Sequence, residues 1–278
     1  MSMKYIDEFR TAEAVRQVVE AIHKTSHKEL RIMEVCGGHT MAIHKFGIPS
    51  LLPDNIKLLS GPGCPVCVSS RQFIDQAIAY GRLDNVILTT FGDLIRVPGS
   101  TSSLEKEKAD GRRIEIVYSI LDALKLAHQN PDKKVVFLGI GFETTAPGTA
   151  AGIMNAVKEG LSNFFVYSSH KVMPPALKAL ITEGVKIDGY IGPGHVSTIT
   201  GIEIYEELIT KYNVGCVISG FEPLDLLQSI YLLVKQKEEN KHQCYHFHPL
   251  FNPCISTQLP LQPYRLPTHS SPIPLLLT

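Results

Sequence analysis

The sequence has no excess of either charge: 27 lysines and arginines balance 27 aspartates and glutamates, and no basic run is interleaved with aromatics. That argues against a nucleic-acid backbone or an anionic membrane as the main partner. There is no apolar stretch near the ~20 residues needed to cross a bilayer, and the opening MSMKYIDEFR carries charges where a secretory leader is apolar. A cytoplasmic protein is expected. Cysteine is scarce, six residues in 278 and unevenly placed, which excludes a disulfide scaffold and leaves reactive or metal-binding thiols as the better reading. The chain is 44% hydrophobic and 19% charged, so it has the material for a real core. At roughly 100–200 residues per domain it should hold one large or two medium domains.

One pattern recurs seven times: a short β-prone run, then an abrupt cluster of glycine, small polar residues and one chemically capable side chain. The instances are LRIMEVCGGHT, IKLLSGPGCPVC, NVILTTFGD, KVVFLGIGFETT, FFVYSSHK, GYIGPGH and VGCVISGFEP. Most of these runs are apolar on both faces, as strands buried between helix layers are. The segments after them read as amphipathic helices, among them 69–80, 116–128 and 148–158. Alternation at this pitch predicts an α/β fold of two Rossmann-like domains with parallel sheets. Ligands of open parallel sheets sit beyond the carboxyl ends of the strands, so the polar endings predict one convergent site in a shared cleft.

The longest gap between strands, Val86 to Val135, ends in QNPDKK and predicts a boundary near Pro131. The first domain is then residues 1–131 and the second 132–243. Residues 244–278 hold seven prolines and one charged residue, Arg265, a composition that breaks both helix and ladder. This stretch is expected to be a disordered or non-native tail, and the loss of charge after Lys241 is what an altered reading frame would produce. Its Cys244, His246, His248 and Cys254 have only loose metal-ligand character.

Cys64 and Cys67 of GPGCPVC form a C-x-x-C between a strand and a helix expected to start near Val68. A thiol there faces unpaired helix N–H groups and the positive end of the helix dipole, which favour thiolate. Such a pair is a redox or metal-binding dithiol, and Gly63 lets backbone approach the sulfurs. In EVCGGHT, Cys36 takes the same strand-to-helix position, with Gly37 and Gly38 clearing space and His39 three residues on. C-x-x-H and C-x-x-C together also fit a Cys3His zinc site. LGIGFETT contains G-x-G-x-x-T, one glycine short of a dinucleotide fingerprint, so Glu143, Thr144 and Thr145 more plausibly offer acceptors and hydroxyls to the cleft. Gly194, His195 and Ser197 of GPGHVS, Asp93 and Arg96 of FGDLIRVPG, and Glu222 of GFEP add further polar groups.

Taken in order, CGGHT at 36–40, GPGCPVC at 61–67, TFGDLIRVPGS at 90–100, GFETT at 141–145, PGHVS at 193–197 and GFEP at 220–223 closely resemble the HypD family of hydrogenase maturation factors. The resemblance spans residues 1 to about 240. It implies a cofactor-assembly scaffold with redox-active thiols, rather than a conventional turnover enzyme, that builds the Fe(CN)2CO moiety of NiFe hydrogenases. It works there with the chaperone HypC and the cyanide donor HypE. Carried over by motif, Cys36 would be the iron ligand, and Cys64 and Cys67 the dithiol passing electrons. His39 and His195 would position or protonate incoming ligands, Glu143 and Thr144 would line the cleft, and Gly37, Gly38, Gly63 and Gly194 would shape it. Family members continue into a region whose four cysteines bind a 4Fe–4S cluster. Here only Cys244 and Cys254 stand in the corresponding stretch, and two thiolates cannot hold a cubane that takes four. The resemblance therefore implies an absent cluster beside two intact α/β halves. Two other readings of the same residues are a thiol-disulfide oxidoreductase using Cys64 and Cys67 alone, and a zinc-stabilised nucleotide-binding module.

Overall fold

The computed structural model describes residues 10–246. Two parallel sheets form. Strands β1 (Leu30–Glu34), β2 (Ile56–Ser60), β7 (Gly189–Pro193), β8 (Gly215–Ser219) and β9 (Cys244–His246) make a five-stranded sheet in the order β2-β1-β7-β8-β9. Strands β3 (Val86–Thr90), β4 (Ile114–Ile116), β5 (Lys134–Gly139) and β6 (Phe164–Ser168) make a four-stranded sheet in the order β4-β3-β5-β6. All pairings between these strands are parallel, with Leu30 opposite Ile56, Gly189 opposite Gly215 and Val135 opposite Phe164. All seven expected strands are present, and the α/β class with parallel sheets holds.

The central strands β3, β7 and β8 are buried along their whole length, as strands covered by helices on both faces must be. Helices α1 (Ala12–Thr25), α2 (Gly37–Lys45) and α10 (Pro223–Glu239) cover one face of the larger sheet. α10 is the axis of this layer: Leu226, Leu227, Ile230 and Val234 are buried with Val18 and Ile22 of α1 and Ile32, Ile191 and Val217 of the sheet. It starts on a capping box of Glu222 and Asp225 with Pro223 in its first turn, and ends on Asn240 in the left-handed region (φ 52°). The other face buries Tyr190, Cys216 and Ile218 under α7 (Met173–Thr182), α8 (Gly194–Thr200) and α9 (Glu206–Tyr212). In the smaller sheet, α3 (Arg71–Gly81) and α4 (Leu104–Ala109) lie against one core, and α5 (Ile120–Gln129) and α6 (Ala146–Lys158) cover the opposite side.

The boundary expected at Pro131 does not separate the sheets. β5, which follows it, pairs with β3, which precedes it, and the larger sheet is built from both ends of the described chain. Three local expectations are also corrected. The helix after CPVC starts at Arg71, not near Val68, because the Ser70 side chain accepts the Phe73 N–H and so caps α3 there. The helix expected from 116 starts at Ile120, because Ile114–Ile116 pairs with Leu88–Thr90 as an edge strand. Cys244–His246, expected in a disordered tail, pairs with β8. The expectations for 247–278, Cys254 included, fall outside the described residues.

In each sheet the chain steps outward to a neighbour and then returns to the other side of the first strand: β1 to β2, later β7, and β3 to β4, later β5. That leaves a crevice at the carboxyl ends of β1 and β7, and another at β3 and β5, the positions where open α/β sheets take ligands. CGGHT and PGHVS emerge at the first crevice.

Ile230 is fully buried in the α10 layer. Ile230→Ala should cost about 2–5 kcal/mol, read as a lower urea midpoint with unchanged slope; a shift worth under about 1 kcal/mol would show that this layer is not the anchor of the larger sheet.

Candidate functional site

Cys36 is the N-cap of α2. Its carbonyl accepts the His39 and Thr40 N–H groups, so the thiol stands where strand β1 turns into helix, as expected. Beneath it lies Glu34, a charged residue at the end of an apolar strand and only 3% exposed. Its two oxygens accept the Cys36 N–H at 3.1 Å and the Thr40 hydroxyl at 2.5 Å. Burial pushes its carboxyl above the usual range, against those hydrogen bonds. Glu34 therefore fixes the Cys36 amide from below.

The GPGCPVC loop lies directly on this turn. Gly61 N–H donates to the Glu34 carbonyl at 2.8 Å and Gly37 N–H to the Gly63 carbonyl at 3.4 Å. A β-carbon on Gly63 would meet Gly37 N and stand 2.7 Å from the Cys36 carbonyl carbon; one on Gly61 would stand 2.7 Å from the Glu34 carbonyl oxygen. Backbone therefore meets backbone, and the CPVC turn is seated against Cys36. Cys64 and Cys67 lie in a turn ahead of α3, not in its first helical turn, so the helix dipole is not their activating feature. Instead the Cys67 N–H donates to Cys64 Sγ at 3.4 Å, and Cys64 is half-buried while Cys67 is exposed. The hydrogen bond between the two thiols raises the Cys67 pKa above its ordinary value.

His39 is fully buried. Its Nε2 lies 3.0 Å from the Gly220 carbonyl and 3.3 Å from that of Ser219; both are acceptors, so Nε2 carries the proton. Nδ1 is then a bare lone pair, and it has no partner among the described residues. Burial lowers the imidazole pKa to about 4, so His39 is neutral near pH 7. Phe221 packs on two imidazoles, 4.7 Å from the His39 ring and 4.8 Å from the His195 ring. A β-carbon on Gly38 would stand 2.7 Å from that phenyl ring, and one on Gly194 2.8 Å from the Ser219 carbonyl oxygen. Of the four singled-out glycines, Gly38, Gly63 and Gly194 thus allow close approach between loops, while Gly37 has room for a side chain. His195 is exposed, at the start of α8.

Glu143 reaches across from the smaller sheet. Its Oε1 accepts the Met173 N–H at 2.7 Å at the start of α7, while Oε2 is buried with no partner among the described residues. Phe142 beside it shares a core with Met33 of β1, Val35 and Val196 of α8. Thr144 is exposed and joins none of these contacts. Arg96 pairs with Glu105 at 3.2 Å on the surface, and Glu222 caps α10 and pairs with Arg10, so neither faces Cys36 through a bond of its own. Ser197 bonds the Pro193 carbonyl and the Tyr205 hydroxyl in the core. Among the described residues no group of three or more His, Cys, Asp or Glu side chains is arranged to hold a metal ion, and the C-x-x-H and C-x-x-C pairs are not gathered into one set. Nor does any described helix have the length and apolarity to cross a membrane.

A profile of HypD, described as the hydrogenase formation hypA family, matches residues 13–249. The chain belongs to the HypD family. It is 46% identical over 248 residues to the hydrogenase maturation factor HypD of Azotobacter vinelandii, covering 86% of this chain. It is 45% identical over 243 residues to that of Escherichia coli and 44% over 248 to that of Rhodobacter capsulatus, covering 84% and 86% of this chain. The chain spans 65% of the length of the first two relatives and 66% of the third. The site holds two residues, Glu34 of EVCGGHT and Phe221 of GFEP, whose part the motifs do not give. A lone carboxylate ending an apolar strand was the available signal for the first; the second needed the fold, because an aromatic in a turn reads equally as core.

Two predictions follow from this geometry. Gly63→Ala should separate the two loops and make the Cys36 thiol more reactive to a maleimide while circular dichroism stays native; unchanged labelling would show that the loops do not bear on each other. The second concerns pH. His39 takes up a proton at about 4 when folded and near 6.5 when unfolded, so its contribution to stability is complete above 6.5 and declines as pH falls towards 4. Asp225, under the Gly220 turn and accepting the Glu222 N–H, has its pKa raised by burial to about 6, so between 6 and 4 it acts in the opposite sense. In metal-free protein, His39→Gln should therefore gain stability relative to wild type as pH drops from 6.5 to 4, and Asp225→Asn should lose it. Urea titrations at four pH values test this; parallel curves for all three proteins contradict it.

Proposed function

We propose that this chain acts in hydrogenase maturation as an iron-binding scaffold on which the Fe(CN)2CO moiety of NiFe hydrogenases is assembled, with HypC-type and HypE-type partners. The observation that carries the reading is the seating of the CPVC turn on the Cys36 loop by glycine-mediated backbone contact, at the crevice of the larger sheet. It brings the loop that carries Cys64 and Cys67 onto the loop that carries Cys36, and thiols are the donors that suit a soft, low-spin iron substrate and its reduction. Cys36 binds the iron as thiolate after releasing one proton, its amide held by Glu34. Cys64 and Cys67 together release two electrons and two protons as they close to a disulfide, and the exposed Cys67 is the point at which an external reductant restores them. His39, neutral and with its Nε2 proton committed to backbone, offers Nδ1 as a hydrogen-bond acceptor to a protonated incoming ligand. His195, on the far side of Phe221 and open to solvent, serves arriving ligands or partners. Glu143 ties the loop after β5 to the start of α7. The cytoplasm is the compartment in which such thiols stay reduced. None of these steps draws on a 4Fe–4S cluster.

The exposure of Cys67 and its contact with Cys64 also support a second reading, a thiol-disulfide oxidoreductase acting without iron. Anaerobic co-purification with HypC, followed by infrared spectroscopy in the cyanide and CO stretching region and an iron count, tests the scaffold, with Cys36→Ala as control. Bands and iron in wild type, lost in Cys36→Ala, are expected. Their absence from both, together with catalysed reduction of insulin disulfides that depends on Cys64, would favour the oxidoreductase.

A further inference from the structure

A second thiol pair lies apart from CGGHT and CPVC. Cys216, the second residue of β8, stands directly opposite Cys244, the first residue of β9, in the parallel ladder, and the Cys216 N–H donates to the adjoining Gln243 carbonyl at 3.3 Å. The two thiols hydrogen-bond to each other. Cys216 is fully buried among Tyr190, Tyr205 and Ile218, and packs so tightly on β7 that a β-carbon on Gly192 would stand 3.2 Å from its sulfur. Cys244 is half-buried on the edge strand.

We propose that Cys216 and Cys244 form a reversible dithiol–disulfide pair, oxidised by small-molecule disulfides of the glutathione class, that staples β9 to the larger sheet. Neighbouring strands lie about 4.8 Å apart, within the Cα separation of about 4.4–6.8 Å that a disulfide spans. Directly opposed parallel residues keep their β-carbons near that same spacing, wider than the ~3.8 Å a relaxed disulfide has. Closing the bond therefore draws the strands together, which makes it a labile, reducible link rather than a permanent one. Exposure assigns the roles. The Cys244 thiolate, its proton released to water, attacks one sulfur of the small disulfide; that S–S bond breaks, and the departing thiolate takes up a proton. The buried Cys216 then attacks the mixed disulfide at Cys244, and its own proton leaves with the second small thiol. The protein loses two hydrogens and the oxidant becomes two thiols. The hydrogen bond between the pair favours the same division, lowering the Cys244 pKa and, with burial, raising that of Cys216. This inference is independent of the function proposed above, since it uses neither iron nor the CPVC dithiol.

The test uses the full chain carrying Cys36→Ser, Cys64→Ser, Cys67→Ser and Cys254→Ser, equilibrated in glutathione buffers from reducing to oxidising, denatured in N-ethylmaleimide and weighed intact. The expected result is two maleimide adducts at the reducing end, none at the oxidising end, no retained glutathione, and a higher thermal midpoint for the oxidised form. Adding Cys216→Ser should trap Cys244 as a stable glutathione adduct. Two adducts persisting at the oxidising end, or a glutathione adduct accumulating with Cys216 present, would overturn the proposal. Should the fourfold variant fail to fold, peptide mapping of the oxidised wild-type chain decides: a Cys216–Cys244 cross-linked peptide supports it, and free thiols at both positions refute it.

Discussion

Two strand-to-helix loops share one point in space only where backbone takes the place of side chain, and here that place is Gly63 against the peptide joining Cys36 to Gly37. The rest of the site depends on this crossing. With a β-carbon there the GPGCPVC loop lifts off, and the turn that carries Cys64 and Cys67 no longer rests on the N-cap of α2. Gly61 and Gly38 repeat the same logic at the Glu34 carbonyl and the Phe221 ring. Three glycines thereby set a geometry usually credited to the cysteines that flank them.

Under the crossing lies a second layer that fixes protonation rather than position. Glu34 holds the Cys36 amide, the Ser219 and Gly220 carbonyls hold the His39 tautomer, and Asp225 sits under the Gly220 turn. None of these groups carries the chemistry attributed to the thiols, yet the Ser219 and Gly220 carbonyls decide which nitrogen of His39 holds its proton. A buried imidazole with one nitrogen committed and the other bare is an oriented acceptor, whatever the ligand. Phe221 packs on a buried imidazole, His39, and on an exposed one, His195.

Much of this was legible in the residues alone. Seven apolar runs, each broken by a glycine cluster, announced seven parallel strands, because strands buried on both faces need uninterrupted apolar sequence while crevice loops need small residues. β4 and β9 were not legible: three-residue edge strands such as Ile114–Ile116 have too little periodicity to stand out, and a proline-rich neighbourhood hid Cys244–His246. The sorting of strands between sheets was hidden for a different reason. Whether β5 pairs with β3 or begins a separate sheet depends on contacts about fifty residues apart, and no local pattern encodes them. The start of α3 turned on which of two adjacent serines caps it, and Ser70 took the Phe73 N–H. Cys36 was read in its proper place because strand, glycine pair and helix follow one another without a gap.

The arrangement of the sheets also has a consequence in time. The smaller sheet is one continuous stretch of chain, from β3 to β6, but the larger one holds β1 and β2 unfinished until β7 arrives about 130 residues later. At roughly 5–20 residues per second of synthesis, that interval is on the order of ten seconds. Through it, Cys36, Cys64 and Cys67 have left the ribosome without the β7 and β8 walls of their crevice, while the smaller sheet already has everything it needs to fold. Cys36 and Cys64, half-buried in the finished fold, therefore pass their first moments in open solution, and a chain stalled between β6 and β7 presents a folded smaller sheet beside an unfinished thiol site.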